Sequence, residues 1–170
     1  AIRAVDLDLD GDLDLLTGAA EEEDPFGGGG VGGQINWFEN IGGTFSAPVT
    51  IDSTGILGTV TTGDVDGDGD PDVVAAILDG DDDEAIVWYP NTAAVFGAAV
   101  TIDEDDVRTL ATADLDADGD DDLVAGLGAY NAPRGDFWYE NLGGSFAPPI
   151  RYVSFPPRSL ERRIGGPVSI

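Results

Sequence analysis

One unit of about 50 residues recurs three times along this chain of 170. Its clearest mark is an aromatic pair followed by Asn: Trp37-Phe38-Glu39-Asn40, Trp88-Tyr89-Pro90-Asn91 and Trp138-Tyr139-Glu140-Asn141. The tryptophans fall 51 and 50 residues apart. A turn then delivers a phenylalanine (Phe45, Phe96, Phe146), and a short β-like run follows: Val49-Thr50-Ile51, Val100-Thr101-Ile102, Ile150-Arg151-Tyr152. A period near 50 with about four short β-runs is the size of one propeller blade.

The repeat predicts four strands per unit. Strand A precedes an acidic loop, as in Val107 to Ala113; strand B follows it, strand C carries the Trp, and strand D lies after the Phe. The B runs are apolar: Leu15-Leu16, Val73-Val74-Ala75-Ala76-Ile77-Leu78 and Leu123-Val124-Ala125. Strands B and C alternate poorly, as expected for strands buried on both faces between neighbouring blades. The 25 Gly and 10 Pro suit many turns and short strands rather than long helices. The expected fold is all-β: three four-stranded antiparallel propeller-type blades at about 1–52, 53–103 and 104–152, an incomplete ring unless other chains or further repeats complete it. Repeat one has 23 residues from loop end to Trp against 16 in the others. The seven extra residues fall in Glu21–Gly33, with its four consecutive glycines, which reads as a mobile hairpin tip. The recurring Trp is expected to pack between blades, with ligand stacking as the minority alternative, and the recurring Asn to fix a turn.

Between strands A and B each repeat spells Asp-x-Asp-x-Asp-Gly-x-x-Asp. The copies are Asp6, Asp8, Asp10, Gly11, Asp14; Asp64, Asp66, Asp68, Gly69, Asp72; and Asp114, Asp116, Asp118, Gly119, Asp122. Each loop of nine residues carries at least four carboxylates. Two such charges about 5 Å apart cost roughly 3 kcal/mol at an effective dielectric near 20. A cation inside the loop relieves that cost, and an oxygen-only ligand set points to Ca²⁺, one ion per blade. Positions one, three, five and nine offer carboxylates. Position seven (Asp12, Asp70, Asp120) offers a backbone carbonyl by analogy with the EF-hand loop. The EF-hand itself is disfavoured, because Thr17, Ala75 and Ala125 stand where its twelfth-position Glu belongs and the flanks are β-like.

The net charge is −27, from 34 acidic residues against seven Arg and no Lys. Binding to nucleic acid or an anionic membrane is electrostatically opposed. Cations and basic surfaces are the natural counterparts, and the same acidity also suits a chain that works in high salt. Runs such as Glu21-Glu22-Glu23-Asp24 and Asp81-Asp82-Asp83-Glu84 read as solvated surface or as further cation sites. Without Cys or His there is no disulfide, no zinc site of those ligands and no Ser-His-Asp triad. No apolar run approaches bilayer-spanning length. The acidic residues recur as equivalent loop positions, and no unique pair stands out for glycosidase-type acid–base work. A non-catalytic role is expected.

These motifs resemble the FG-GAP/VCBS repeat family, whose blades also build the integrin α-subunit head. The Asp loop leading into Leu-Val or Val-Val is similar to that family's calcium loop, and Trp-Tyr-Glu-Asn before Gly-Gly-x-Phe is similar to secreted and cell-surface bacterial and archaeal members. The resemblance covers Ala1 to about Tyr152. It implies four-stranded blades with calcium in each A–B loop, held by Asp6, Asp8, Asp10 and Asp14, by Asp64, Asp66, Asp68 and Asp72, and by Asp114, Asp116, Asp118 and Asp122. It also implies adhesion, ligand binding or scaffolding at a cell surface or outside the cell. The alternative is a lectin-like carbohydrate-binding module, in which aromatics and loop carboxylates grip sugars, so that the expected ligand is a glycan or a protein. Three blades depart from the six to eight of complete rings. Residues 153–170 hold Arg158, Arg162 and Arg163, close after Arg151, and no Asp loop follows them. This basic tail is expected to dock on a blade edge of another copy, giving a ring or a filament, or else to be a frayed end or the start of another repeat.

Overall fold

The computed structural model describes residues 1–19, 33–78, 84–104, 107–127 and 135–154. The hairpin tip expected over Glu21–Gly33 lies, apart from Gly33, outside these residues. So do residues 81–83 of the second acidic run and the basic tail from residue 155 onward. Blade one is built from β1 (Ile2–Val5), β2 (Asp14–Ala19), β3 (Gln34–Phe38) and β4 (Val49–Asp52), antiparallel in that order. In blade two, β5 (Ile56–Gly63), β6 (Asp72–Leu78) and β7 (Glu84–Tyr89) are followed by a small hairpin of β8 (Asn91–Thr92) and β9 (Val95–Phe96), and β10 (Val100–Asp103) completes the sheet beside β7. Blade three repeats the pattern with β11 (Val107–Ala113), β12 (Asp122–Leu127), β13 (Gly135–Tyr139) and β14 (Ile150–Ser154). The A, B, C and D strands expected from the repeat are all present, and the Asp loops occupy the A–B connections.

The register is the same in all three sheets. The last residue of strand A faces the ninth loop residue in the pairs Val5–Asp14, Gly63–Asp72 and Ala113–Asp122. The tryptophans face Leu16, Val74 and Val124. The recurring Asn and Phe also pair, as isolated bridges Asn40–Phe45 and Asn141–Phe146 and as the β8–β9 hairpin between them. Equal spacing in sequence therefore becomes equal placement in space.

Side chains alternate between sheet faces, and that alternation explains the burial. On β6, Val73 and Ala75 pack toward blade one, while Val74 and Ala76 pack toward blade three. Both sets are buried, which is why the strand is a continuous apolar run. Strand β2 of blade one instead alternates buried and half-buried positions, because one of its faces points away from blade two. The expectation of strands buried on both faces thus holds for the central blade.

Two apolar layers join the blades. Leu7, Leu16, Ile35 and Trp37 meet Val60, Val73, Val87 and Tyr89, with Phe96 edge-on to Trp37 at a centroid distance of 6.0 Å and an angle of 65°. Val65, Val74, Ile86 and Trp88 meet Leu110, Leu123, Ala125 and Tyr139, with Phe137 and Phe146 against them. Trp37 and Trp88 are core residues, as expected. Strand β5 lies against β1, β2 and β3, and β11 against β5, β6 and β7, so the blades stand in a row. Among the described residues no ring closes.

The second layer has little slack at β5. A Cβ on Gly63 would sit 2.5 Å from Asp121 Oδ2 and 2.8 Å from Thr112 Cβ. Overpacking of this kind costs about 1–3 kcal/mol. We expect Gly63→Ala to lower the thermal unfolding midpoint by several degrees, followed by circular dichroism. An unchanged midpoint would mean that blades two and three are not packed in this way.

Candidate metal centres

Each Asp loop is shaped by its own short-range chemistry. The sixth-position glycines Gly11, Gly69 and Gly119 have φ of +99°, +94° and +106°, a region that a side chain disfavours. The fourth position is also left-handed: Leu9 at +59°, Gly67 at +73° and Ala117 at +64°. Sequence reasoning found the first turn and missed the second, since Leu and Ala give no sign of it. For a residue with a Cβ this conformation costs about 1–2 kcal/mol. Carboxylates brace the bend. The amides of Asp10, Asp68 and Asp118 donate to Asp8, Asp66 and Asp116 Oδ1 at 3.2–3.3 Å. The amides of Asp12, Asp70 and Asp120 donate in turn to Asp10, Asp68 and Asp118 Oδ1.

The first-position aspartates close the loop. Asp6 Oδ2 accepts the Gly11 amide, and Asp64 Oδ2 the Gly69 amide, each at 3.0 Å. Their other oxygens, Asp6 Oδ1 and Asp64 Oδ1, are buried with no hydrogen-bond partner. Loop three differs, because Asp114 is exposed and its Oδ1 takes the Ala117 amide at 2.7 Å. One carboxylate oxygen from each of Asp6, Asp8 and Asp10 lies within 4.8 Å of the others. The same holds for Asp64, Asp66 and Asp72, and for Asp114, Asp116 and Asp118. Crowding affects titration. Withdrawal from water, with added repulsion from neighbouring aspartates, raises Asp8, Asp66 and Asp116 above the usual carboxylate range.

The ninth-position aspartates are the most deeply placed. Asp14, Asp72 and Asp122 are buried, and both oxygens of each accept backbone amides. Oδ2 takes the amide of the loop's second residue: Leu7 at 3.1 Å, Val65 at 2.9 Å and Leu115 at 3.1 Å. Oδ1 takes the amide of the recurring Asn: Asn40 at 2.8 Å, Asn91 at 2.6 Å and Asn141 at 2.8 Å. In blade one the Trp37 indole also donates to Asp14 Oδ2, at 2.9 Å. These residues anchor the loop to the turn after strand C. Each carboxylate oxygen has two lone pairs, so an anchor oxygen can still face an ion.

The seventh-position side chains reach the same turn. Asp12, Asp70 and Asp120 accept the amides of Gly42, Ala93 and Gly143 at 3.2, 2.7 and 2.7 Å. Two of the three recurring Asn fix that turn, as expected: Asn40 Oδ1 accepts from Gly43, and Asn141 Oδ1 from Leu142 and Gly144, whereas Asn91 Oδ1 is buried without a hydrogen-bond partner. The Asn side chains also do something sequence reasoning missed. Asn91 Nδ2 donates to Pro71 O and, across the blade boundary, to Leu7 O at 2.8 Å. Asn141 Nδ2 donates likewise to Asp121 O and to Val65 O at 2.6 Å. The turn of one blade is thereby bound to the Asp loop of the blade before it. Loops two and three are tied again, by the Asp64 amide to Asp121 Oδ2 at 3.0 Å and the Asp121 amide to Asp64 O at 2.8 Å.

Four-stranded antiparallel sheets, stacked in a row and each carrying an acidic A–B loop that could hold a metal ion, define a β-sheet repeat module. The model of the FG-GAP-like repeat family matches residues 6–75 and 64–125, and the chain belongs to that family. No curated protein sequence matches the chain significantly.

The two kinds of aspartate separate by mutation in the metal-free protein. An amide at position 72 has one acceptor oxygen for two donors, leaving a buried N–H unpaired at a cost of about 1–3 kcal/mol. We expect Asp72→Asn to melt several degrees lower in excess chelator, and Asp66→Asn to melt no lower than the parent. Equal losses from both would remove the distinction.

Asp72 also carries a pH signature. Burial foremost pushes it up to about 7; the Asn91 and Val65 amides oppose the rise, and Asp66 and Asp68 add to it. Its ordinary value is 3.8, so between that and about 7 the folded protein binds more protons than the unfolded chain. Stability without metal then falls as pH rises through this window. Calorimetry in chelator should show a midpoint that declines from about pH 4 to pH 7, and a rising midpoint would contradict the raised value.

Proposed function

We propose that the three loops hold Ca²⁺ and that the chain is a non-catalytic, calcium-stiffened repeat module of an extracellular or cell-surface protein, serving assembly or adhesion. The observation that carries this reading is the pair Asp6 Oδ1 and Asp64 Oδ1, buried and without hydrogen-bond partners beside further carboxylates. A buried carboxylate oxygen without a donor is costly, and a hard cation is the partner that an all-oxygen site accepts. The candidate donors are Asp6, Asp8, Asp10 and Asp14, Asp64, Asp66, Asp68 and Asp72, and Asp114, Asp116, Asp118 and Asp122, joined by the carbonyls of Asp12, Asp70 and Asp120.

A structural rather than catalytic role fits the position of these sites. They recur at the same corner of every blade, and their carboxylates are tied to the turns that join the blades. Extracellular calcium modules bind at about 10⁻⁴ to 10⁻³ M. At ten times Kd each ion adds about 1.4 kcal/mol, and three add about 4, against a typical domain stability of about 5–15 kcal/mol.

We expect excess chelator to lower the melting midpoint substantially and Ca²⁺ to restore it better than Mg²⁺. The Asp66→Asn variant should regain less with Ca²⁺ than the parent. Loop three, whose first aspartate is exposed and already engaged, should fill last in a calorimetric titration. A melt indifferent to chelator would refute the proposal.

A further inference from the structure

The two outer faces of the row are the two halves of the contact already made twice inside it. On the outer face of blade three, Leu115, Val124, Trp138 and Tyr152 line a cavity of about 370 Å³, with Asp136 and Phe137. By strand register these positions repeat Val65, Val74 and Trp88 of blade two and Leu7, Leu16 and Trp37 of blade one. Those earlier copies are covered by the following blade. Leu115 is 55% exposed and Tyr152 65%, whereas Leu7 and Val65 are both at 0%.

The opposite end shows the complementary half. On blade one, Ile2, Leu15, Phe38 and Phe45 repeat the positions of Val60, Val73, Tyr89 and Phe96, which fill the groove around Trp37. Ile2 is 67% exposed and Phe45 51%, while Val60 is at 0%. The hydrogen bonds are complementary as well. At both internal boundaries the Asn side-chain amide donates to the carbonyl of the previous loop's second residue, Leu7 O or Val65 O. Asn40 Nδ2 donates to Leu13 O, the counterpart of Pro71 O and Asp121 O, and no preceding loop faces it among the described residues. Leu115 O is the matching acceptor at the far end.

Both outer faces are more polar than the internal ones. Asp136 stands where Ile35 and Ile86 are, Asn36 where Val87 and Phe137 are, and Thr17 where Ala75 and Ala125 are. Asn36 is already satisfied by Gln34 and Thr50 on its own face. Polar groups at such positions suit surfaces that exist both free and docked.

We infer that the chain associates head to tail, the blade-one face of one copy seating on the blade-three face of another with Asn40 Nδ2 donating to Leu115 O. The contact is heterologous, so its repetition gives either a closed ring of few copies or a growing series. It uses the sheet faces and not the tail from residue 155 onward, and it does not rest on the calcium reading.

The test is light scattering on the full chain over a range of concentrations, with Ca²⁺ and with chelator, for the parent, for Tyr152→Asp and for Phe45→Asp. Both substituted residues are exposed, and melting midpoints equal to the parent's at the lowest concentration, where association does not add to stability, confirm that the variants fold. The parent should gain mass with concentration, and each variant alone should stay monomeric. An equal mixture of the two variants should form a two-chain species, because one intact face of each remains. A parent that is monomeric at every concentration overturns the inference. So does association that both variants retain but that removal of residues 155–170 abolishes, which would make the tail the docking element.

Discussion

The carboxylates of Asp14, Asp72 and Asp122 are the point at which each blade's loop, sheet and turn meet. Every one sits at the start of strand B, opposite the end of strand A, and accepts one amide from its loop and one from the turn after the tryptophan. Two backbone donors that would otherwise be buried unpaired are satisfied by one side chain. That carboxylate also holds the recurring Asn where its side-chain amide can reach the neighbouring blade. The loop conformation and the blade-to-blade contact thus share one electrostatic support.

That support is placed among like charges. Carboxylates at five or more of nine positions in each loop, in a chain of net charge −27, work against the folded state. Withdrawal from water, with repulsion from neighbouring aspartates added to it, raises Asp8, Asp66 and Asp72, and the oxygens Asp6 Oδ1 and Asp64 Oδ1 are buried without a partner. On the proposed reading, a divalent cation in each loop would offset the like-charge cost and turn a repulsive cluster into a rigid corner. Such an ion would act on architecture, since the same carboxylates tie down the turns that bridge blades.

Stacking gives equivalent residues different surroundings. Trp37, Trp88 and Trp138 share register, yet Trp37 hydrogen-bonds Asp14, Trp88 is sealed between blades, and Trp138 lines an open groove. Leu7, Val65 and Leu115 make the same bond to their anchoring aspartates, but Leu115 is exposed. Position in the row, rather than residue type, decides whether an apolar side chain is core or exposed surface. A repeat that buries itself on its neighbours carries this property at both ends.

The repeat, its four strands and the loop corners were legible in the sequence, because strand patterning and turn chemistry are local and the period of Trp, Asn and Phe repeats them three times. The carboxylate clusters were legible for the same reason, since nine consecutive residues suffice to crowd the charges. What the letters could not separate was the role of one Asp from another. Ligand candidates, turn braces and anchors are the same residue, and they differ only in which amide donors the folded chain brings to them. The Asn91–Leu7 and Asn141–Val65 bonds join residues 84 and 76 positions apart. The left-handed turns at Leu9 and Ala117 carry no residue signature at all. Local chemistry determined what each blade would be. Which carboxylates are anchored, which oxygens are left for a cation and which faces stay open were decided only by stacking the sheets, because burial and long-range hydrogen bonds do not exist until the blades meet.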